Sequence, residues 1–490
     1  MKNRNLLKII IPIFVILLVW IFVVNKEQTD ETFLVKVGQK KISVKDFLIR
    51  SELTIRPKNF KNKNTTLNNL ISEKILALES GRNKAAELNP VFNLKLKGIR
   101  EQLMRDKLYE VVAYNKVNLD SMVIDTNYKL SMREYVLEFF TISDKKLANR
   151  IEKTLDSLPA MSDVMFREVE EILGKKPVHK VTYNDPDDEV IHEALFSNPV
   201  RLGAIIGPEK LGNGDYIIMK VMDWIDYPLV EREDQLLRRK KVEEKLHRRE
   251  AGKLWRSYQA SVMGGKKIEF DRQVFNMISD IVIDKYISLD TNDTLHARIS
   301  DIPMEDPEID FSLPLFSIDN TEWTIEDFRV AIISHPLVFR TKDIDKHNYK
   351  EQLKLAIVDM VRDYYLTQEA YKRTLDKNED IDRMMEIWTD AFLAQNQKKK
   401  VITLALQQGI IHEKDKTGML HYWEKYLKDL QRKYSNQIQV NYNIFKTISL
   451  TNIDFYVIRP GVPYPITVPG FPTLIASRNL DYVKKINQLN

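Results

Sequence analysis

Histidine is the side chain best placed to move a proton near neutral pH, and the chain holds eight of them. They stand at 179, 192, 247, 296, 335, 347, 412 and 421, with no HExxH and no paired ligand spacing, so a zinc-type site is not indicated. Cysteine is absent, which excludes thiol nucleophiles, disulfides and thiolate metal sites. There is no phosphate-binding glycine loop, dinucleotide fingerprint or G-x-S-x-G elbow. Carboxylate pairs are plentiful but fall in charged helix faces, where solvation accounts for them. No cofactor, nucleotide or metal is expected. His192 falls on a short helix and His179 has no motif around it, so both read as surface side chains.

The elements that would position any chemistry follow from apolar spacing. Residues 203–221, GAIIGPEKLGNGDYIIMKV, read as two strands around a turn cluster, the first stopped by Gly207-Pro208. Upstream, Arg133–Ile142 is a strand. Asp144–Leu158 is a helix with apolar residues at 147, 151, 155 and 158, and Ser162–Leu173 and Asp187–Phe196 are further helices. Residues 130–226 thus give a β-α-α-α-β-β unit. After it, Val230–Met263 is one long helix with charges of both signs and a sparse apolar face, a solvated surface rather than a nucleic-acid site.

Two blocks repeat. LVKVGQKKISVKDF (34–47) matches LFSIDNTEWTIEDF (315–328) without a gap, and each ends in Ser43 or Thr324 as a helix N-cap. LISEKILALES (70–80) then resembles MVRDYYLTQEA (360–370), which points to an internal duplication. Met419–Tyr434 is a helix and Ile438–Phe445 a strand. The tail holds five prolines between Pro460 and Pro472 and must be extended.

The balance of 75 basic against 70 acidic residues is too even to imply nucleic acid, and 43% hydrophobic residues describe a globular chain. At the N-terminus, Lys2, Arg4 and Lys8 precede the uncharged run Ile9–Val24. As a helix this run spans ~24 Å against a hydrocarbon core of ~30 Å. No small-x-small cleavage site follows, so an uncleaved signal anchor is expected, with the N-terminus in the cytoplasm and the remainder outside it.

A membrane anchor followed by KVGQKKISVKDF, and a β-α-α-α-β-β unit ending in GPEKLGNGDYIIMKVMDW, resemble the SurA/PpiD folding factors with their parvulin (PpiC-type) peptidyl-prolyl isomerase domain. The resemblance covers residues 1–265, and the repeat carries it to about 440. It implies an α+β, mostly helical fold: an N-terminal transmembrane helix and duplicated SurA-N-like helical segments flanking a parvulin-like domain. The boundaries would be 1–29 n-region and anchor, 30–128 chaperone-type domain, 129–227 parvulin-like domain, 228–310 helical linker, 311–447 second chaperone-type repeat and 448–490 Pro-rich tail. It also implies a location on the bacterial inner membrane, single-pass, with the bulk in the periplasm. Its partners would be unfolded or nascent envelope proteins and the membrane, with no nucleic acid.

Parvulins place one His on the first strand of this domain and one on the last. Residues 131–143 contain none, Glu138 standing near that place, and the second position is Ile217. No catalytic residue is therefore assigned. An apolar grip on substrate would fall to Phe139, Phe140, Met165, Phe196, Tyr216 and Met219, residue types that also build ordinary cores. The function implied is chaperoning of unfolded chains, with two alternatives left open: an active isomerase with a non-His pocket, and a non-catalytic membrane-tethered scaffold.

Overall fold

The structure, a computed structural model, describes residues 33–57, 62–82, 90–157, 163, 166, 167, 171, 178–185, 188–212, 214–288, 298, 299, 309–341, 344, 347–451, 459, 461–475 and 482. In chain order the elements are β1 (Phe33–Val37), β2 (Lys40–Ser43), α1 (Val44–Glu52), α2 (Lys63–Arg82), α3 (Pro90–Val112) and α4 (Ser121–Leu130). Next come β3 (Arg133–Ile142), α5 (Lys145–Ser157), β4 (Val178–Thr182), α6 (Glu189–Phe196), β5 (Ile205–Lys210), β6 (Tyr216–Asp226) and α7 (Arg232–Met263). Then follow β7 (Ile268–Phe270), α8 (Arg272–Ser288), β8 (Arg298–Ile299), β9 (Pro314–Ile318), β10 (Thr321–Thr324), α9 (Ile325–Ser334) and β11 (Leu337–Val338). The last are α10 (Tyr349–Lys372), α11 (Glu379–Gln407), α12 (Lys416–Tyr434), β12 (Ile438–Val440) and α13 (Tyr442–Thr447). The chain divides into two compact units, one of Tyr109–Ser261 and one of Met1–Leu108 with Val262–Asn490.

The fold is α+β with helix predominating, but the expected transmembrane helix must be corrected. Among the described residues no helix is long and apolar enough to cross a membrane. The run on which the single-pass inner-membrane arrangement rested, Ile9–Val24, lies outside the described residues. Its ~24 Å reach was already short of a ~30 Å core. The longest described helix, α7, is long enough but charged throughout.

In the unit Tyr109–Ser261, β3, β4, β5 and β6 form a four-stranded antiparallel sheet of order β4-β3-β6-β5. In place of the β-α-α-α-β-β order that the sequence suggests, a strand, β4, stands before α6. Val178, His179 and Lys180 are all exposed, so β4 lacks the apolar alternation that marks a half-buried strand. Of the helix expected over Ser162–Leu173, residues 163, 166, 167 and 171 are described, all helical. The hairpin of residues 203–221 forms as expected, with β6 running on to Asp226. Gly207 interrupts β5 with φ +94°, and the register shifts between Ile206 and Glu209. A Cβ at Gly207 would overlap the Ile217 carbonyl, so only glycine fits there.

The other unit contains the duplication. β1-β2-α1 and β9-β10-α9 are each a hairpin leading into a capped helix. Ser43 accepts from the Asp46 N–H while Asp46 accepts from the Ser43 N–H, and Thr324 and Asp327 repeat this capping box. A third, antiparallel strand completes each sheet in one register. Ile438 lies opposite Val37 and Val440 opposite Val35; Ile268 lies opposite Ile318 and Phe270 opposite Phe316. Residues 268–288, expected within a linker, therefore belong to the second copy. Phe47 and Phe328, the matched aromatics after each hairpin, are buried in their respective cores.

The helices that follow are exchanged. α2 of the first copy packs along α11, where Lys40 and Lys74 both meet the buried Asp390 at 2.5 Å. α10 of the second copy meets α3, where Arg105 donates to Thr367 at 2.8 Å.

Candidate functional site

Side chains alternate across a sheet with period two, so register decides which predicted pocket residues can meet. Phe139 lies opposite Met219 on neighbouring strands. Met219 and Phe196 are buried in one core, with Phe139 packed against it. Phe140 is buried on the opposite face with Ile218 and Phe166, and Tyr216 packs there. Met165 lies outside the described residues. The structure thus brings together Phe139, Phe196 and Met219, and separately Phe140 and Tyr216. Ile217, at the position where the resemblance expects histidine, is buried among apolar neighbours. Glu138 lies between Val178 and Lys220 in the sheet.

His179 is exposed, with its ring 6.3 Å from that of Phe139. His192 is not the surface residue expected: it is 3% exposed, between the rings of Tyr183 at 4.5 Å and Phe196 at 4.9 Å. Neither ring nitrogen has a partner of hydrogen-bonding geometry. Desolvation, with Lys245 and Arg249 adding repulsion, pulls its pKa down to about 3, and the Tyr183 backbone opposes this too weakly to offset it. The ring is neutral near pH 7 and packs as an aromatic. The missed signal was the buried stripe His192, Leu195, Phe196, at the i, i+3, i+4 spacing of a helix face. Nearby, Asp188 caps α6 and also accepts from the Gly212 N–H at 2.5 Å, tying the hairpin turn to the helix.

A denser polar arrangement lies on α1 and α2. Asn68 and Ser72, and Asn69 and Glu73, are i, i+4 pairs that present two rungs on one helix. The Pro-rich tail runs across them. Arg50 donates to the carbonyls of Pro469 and, at 3.2 Å, Gly470. Asn69 accepts from the N–H groups of Leu474 at 2.9 Å and Ile475 at 3.1 Å. Asn68 accepts from the Tyr482 N–H, and the Ser72 hydroxyl meets that of Tyr482 at 3.1 Å. Trp423 on α12 donates to the Leu474 carbonyl at 2.8 Å. Arg56 donates to the Thr451 carbonyl, and Glu52 accepts from its N–H and hydroxyl. Phe471, Leu474, Ile475 and Tyr482 are buried in the first copy's core, and Val468 packs on Ile49 and Leu53.

Glu73 pairs with Arg50 at 2.5 Å beneath the tail. Burial pushes its pKa up by more than Arg50 and Lys74 pull it down. At the matching place in the second copy, burial also opposes ionisation of Asp363, but Arg105, the His335 ring and Arg362 hold its carboxyl well below the usual range. His335 lies 3.1 Å from Asp363. Both are packed charge clusters rather than open sites. Among the described residues no group of His, Cys, Asp and Glu could hold a metal ion. Set against known proteins, the chain matches no protein-family model and no curated protein.

Proposed function

We propose that the chain is a protein-folding factor that acts mainly as a chaperone, binding unfolded polypeptides through apolar surface. In this reading the parvulin-like sheet supplies surface rather than chemistry. The observation that carries it is the stretch from the end of β6 into α7. Met222, Ile225, Tyr227, Val230, Leu236 and Leu237 all stand in water there, from 43% exposed at Met222 to 90% at Val230. We read these side chains, which fall between residues 222 and 237, as parts of one interaction surface, whose usual mark is contiguous exposed apolar area. Isomerase activity is expected to be weak or nil, because a buried Ile217 offers nothing that polarises a twisting amide.

The test is suppression of aggregation of a chemically unfolded protein by the full chain, beside a proline cis/trans assay. Uncatalysed exchange takes tens to hundreds of seconds, so catalysis is easily seen. Suppression that falls in the combined Val230→Ser, Leu236→Ser, Leu237→Ser variant, with background isomerisation, supports the chaperone. Catalysis that vanishes in Met219→Ala would show an enzyme instead. Absence of both activities would contradict the chaperone reading.

A further inference from the structure

We propose that the α1–α2 face of the first copy is a binding site for extended polypeptide, and that the chain's own C-terminal segment occupies it as an internal competitor. This rests on the chaperone reading and names what is bound, an extended segment rich in apolar residues.

Most of the hydrogen bonds that hold the segment reach its main chain. The carbonyls of Thr451, Pro469, Gly470 and Leu474 accept, and the N–H groups of Thr451, Leu474, Ile475 and Tyr482 donate. Every polypeptide carries those groups, so such a site reads conformation rather than sequence. The apolar contacts add a coarse rule. Val468, Phe471, Leu474 and Ile475 are all buried, and so are Pro463, Pro465 and Pro469, so the segment is held by a run of apolar side chains and prolines. The prolines restrict the free segment in advance and lower the entropy cost of seating it. An unfolded chain with a comparable apolar run presents the same groups.

The duplication supplies an internal control. Continuing the two gapless matches, Arg50, Glu52 and Arg56 correspond to Ala331, Ile333 and Leu337, Asn68 to Val358, and Asn69 to Asp359, whose carboxylate accepts from Arg340 and Arg362 instead of from main chain. The second copy keeps the hairpin, the capping box and the buried Phe328, but these main-chain partners are gone. The scaffold therefore stands without them, and the first copy carries them as an addition specific to what lies on it.

The experiment uses the full chain with Phe471→Ser and Leu474→Ser to loosen the tail. The probe is a fluorescein-labelled peptide of residues 459–482, read by anisotropy. A tethered segment competes at an effective concentration on the order of millimolar, so loosening it should tighten peptide binding by about tenfold or more. Adding Asn69→Ala should reverse this, and reduced, carboxymethylated α-lactalbumin, a permanently unfolded chain, should displace the peptide. A loosened variant that melts cooperatively but binds the peptide no better overturns the proposal, as does failure of the unfolded chain to compete.

Should the loosened variant not fold, a thrombin site replacing residues 452–457 is cut in the folded protein. Release of the C-terminal fragment by excess carboxymethylated α-lactalbumin on gel filtration supports the site; equal retention with and without it refutes the site. Aggregation suppression by the parent chain during which the Leu474 and Ile475 amides stay as protected as without client would sink this inference alone. Absence of suppression would sink the chaperone reading beneath it.

Discussion

The two copies of the hairpin-helix unit are built alike and finished differently. In the first, the third strand arrives from residues 438–440, near the other end of the chain; in the second it comes from residues 268–270, just upstream. The register is nevertheless the same, because Val37 and Val35 occupy the places of Ile318 and Phe316. Apolar side chains on one face fix strand pairing, and chain order is free to vary around them. The turns differ too: Gly38 takes φ +59° in the first hairpin, whereas Asp319 and Asn320 take +48° and +63° in the second, residue types that tolerate the left-handed region. The copies also differ at polar positions on α2: Asn69 accepts main-chain N–H groups, whereas the matching Asp359 accepts from Arg340 and Arg362.

The largest test of the shared architecture is truncation of its matched aromatic. Phe47→Ala and Phe328→Ala should each cost ~3–5 kcal/mol in urea melts. Costs that differ severalfold would show that the two cores are not equivalent.

The buried acids should then separate the copies. Asp363→Asn is expected to lose about 3 kcal/mol at pH 7, since it leaves buried cations short of a partner. The folded pKa of Asp363 is depressed, so its contribution is complete above the ordinary 3.8 and disappears as pH falls through the lower folded value. The gap between parent and variant should therefore close in acid. Glu73 has the opposite sign. Its folded pKa is raised, so the fold favours its neutral form and the parent should gain stability relative to Glu73→Gln as pH falls. Melts across pH 3 to 8 check the Glu73 direction, and for Asp363 they should show the gap unchanged down to about pH 4 and beginning to narrow below it.

Smaller effects follow. Gly98 on α3 lies against the Ser334 carbonyl and the Tyr464 hydroxyl, and any Cβ there would overlap both. Gly98→Ala should cost ~1–3 kcal/mol through overpacking, although alanine is the better helix former. Smallest, Ser43→Ala and Thr324→Ala each remove one capping box and should cost about 1 kcal/mol, equally in both copies.

Much of this fold can be read before any coordinates. The hairpins, their N-caps and the residues 203–221 turn announce themselves through short-range spacing. β7 does not, because three residues carry little periodicity and their partner lies elsewhere in the chain, and the strand read over Ile438–Phe445 holds only as β12, Ile438–Val440, after which Tyr442–Thr447 turns into α13. β4 is hidden by its exposed Val178-His179-Lys180. Two of the predicted pocket residues could have been separated from sequence alone: Phe139 and Phe140 are adjacent in one strand and must face opposite sides. The described tail residues 461–475 form no helix, as their prolines require, but Arg50, Asn68 and Asn69 stand some 400 residues upstream of the groups they bind, and no local pattern links them.

Hydrogen exchange on the intact chain tests most directly whether the first copy's polar face holds a replaceable segment. The amides of Leu474 and Ile475, bonded to Asn69, are compared with that of Ile318 in β9, with and without carboxymethylated α-lactalbumin. Faster exchange at Leu474 and Ile475 when the unfolded chain is added, with Ile318 unchanged, is the predicted result. Exchange at Leu474 and Ile475 as slow as at Ile318, and indifferent to the unfolded chain, would make the tail a permanent part of the core and contradict the account.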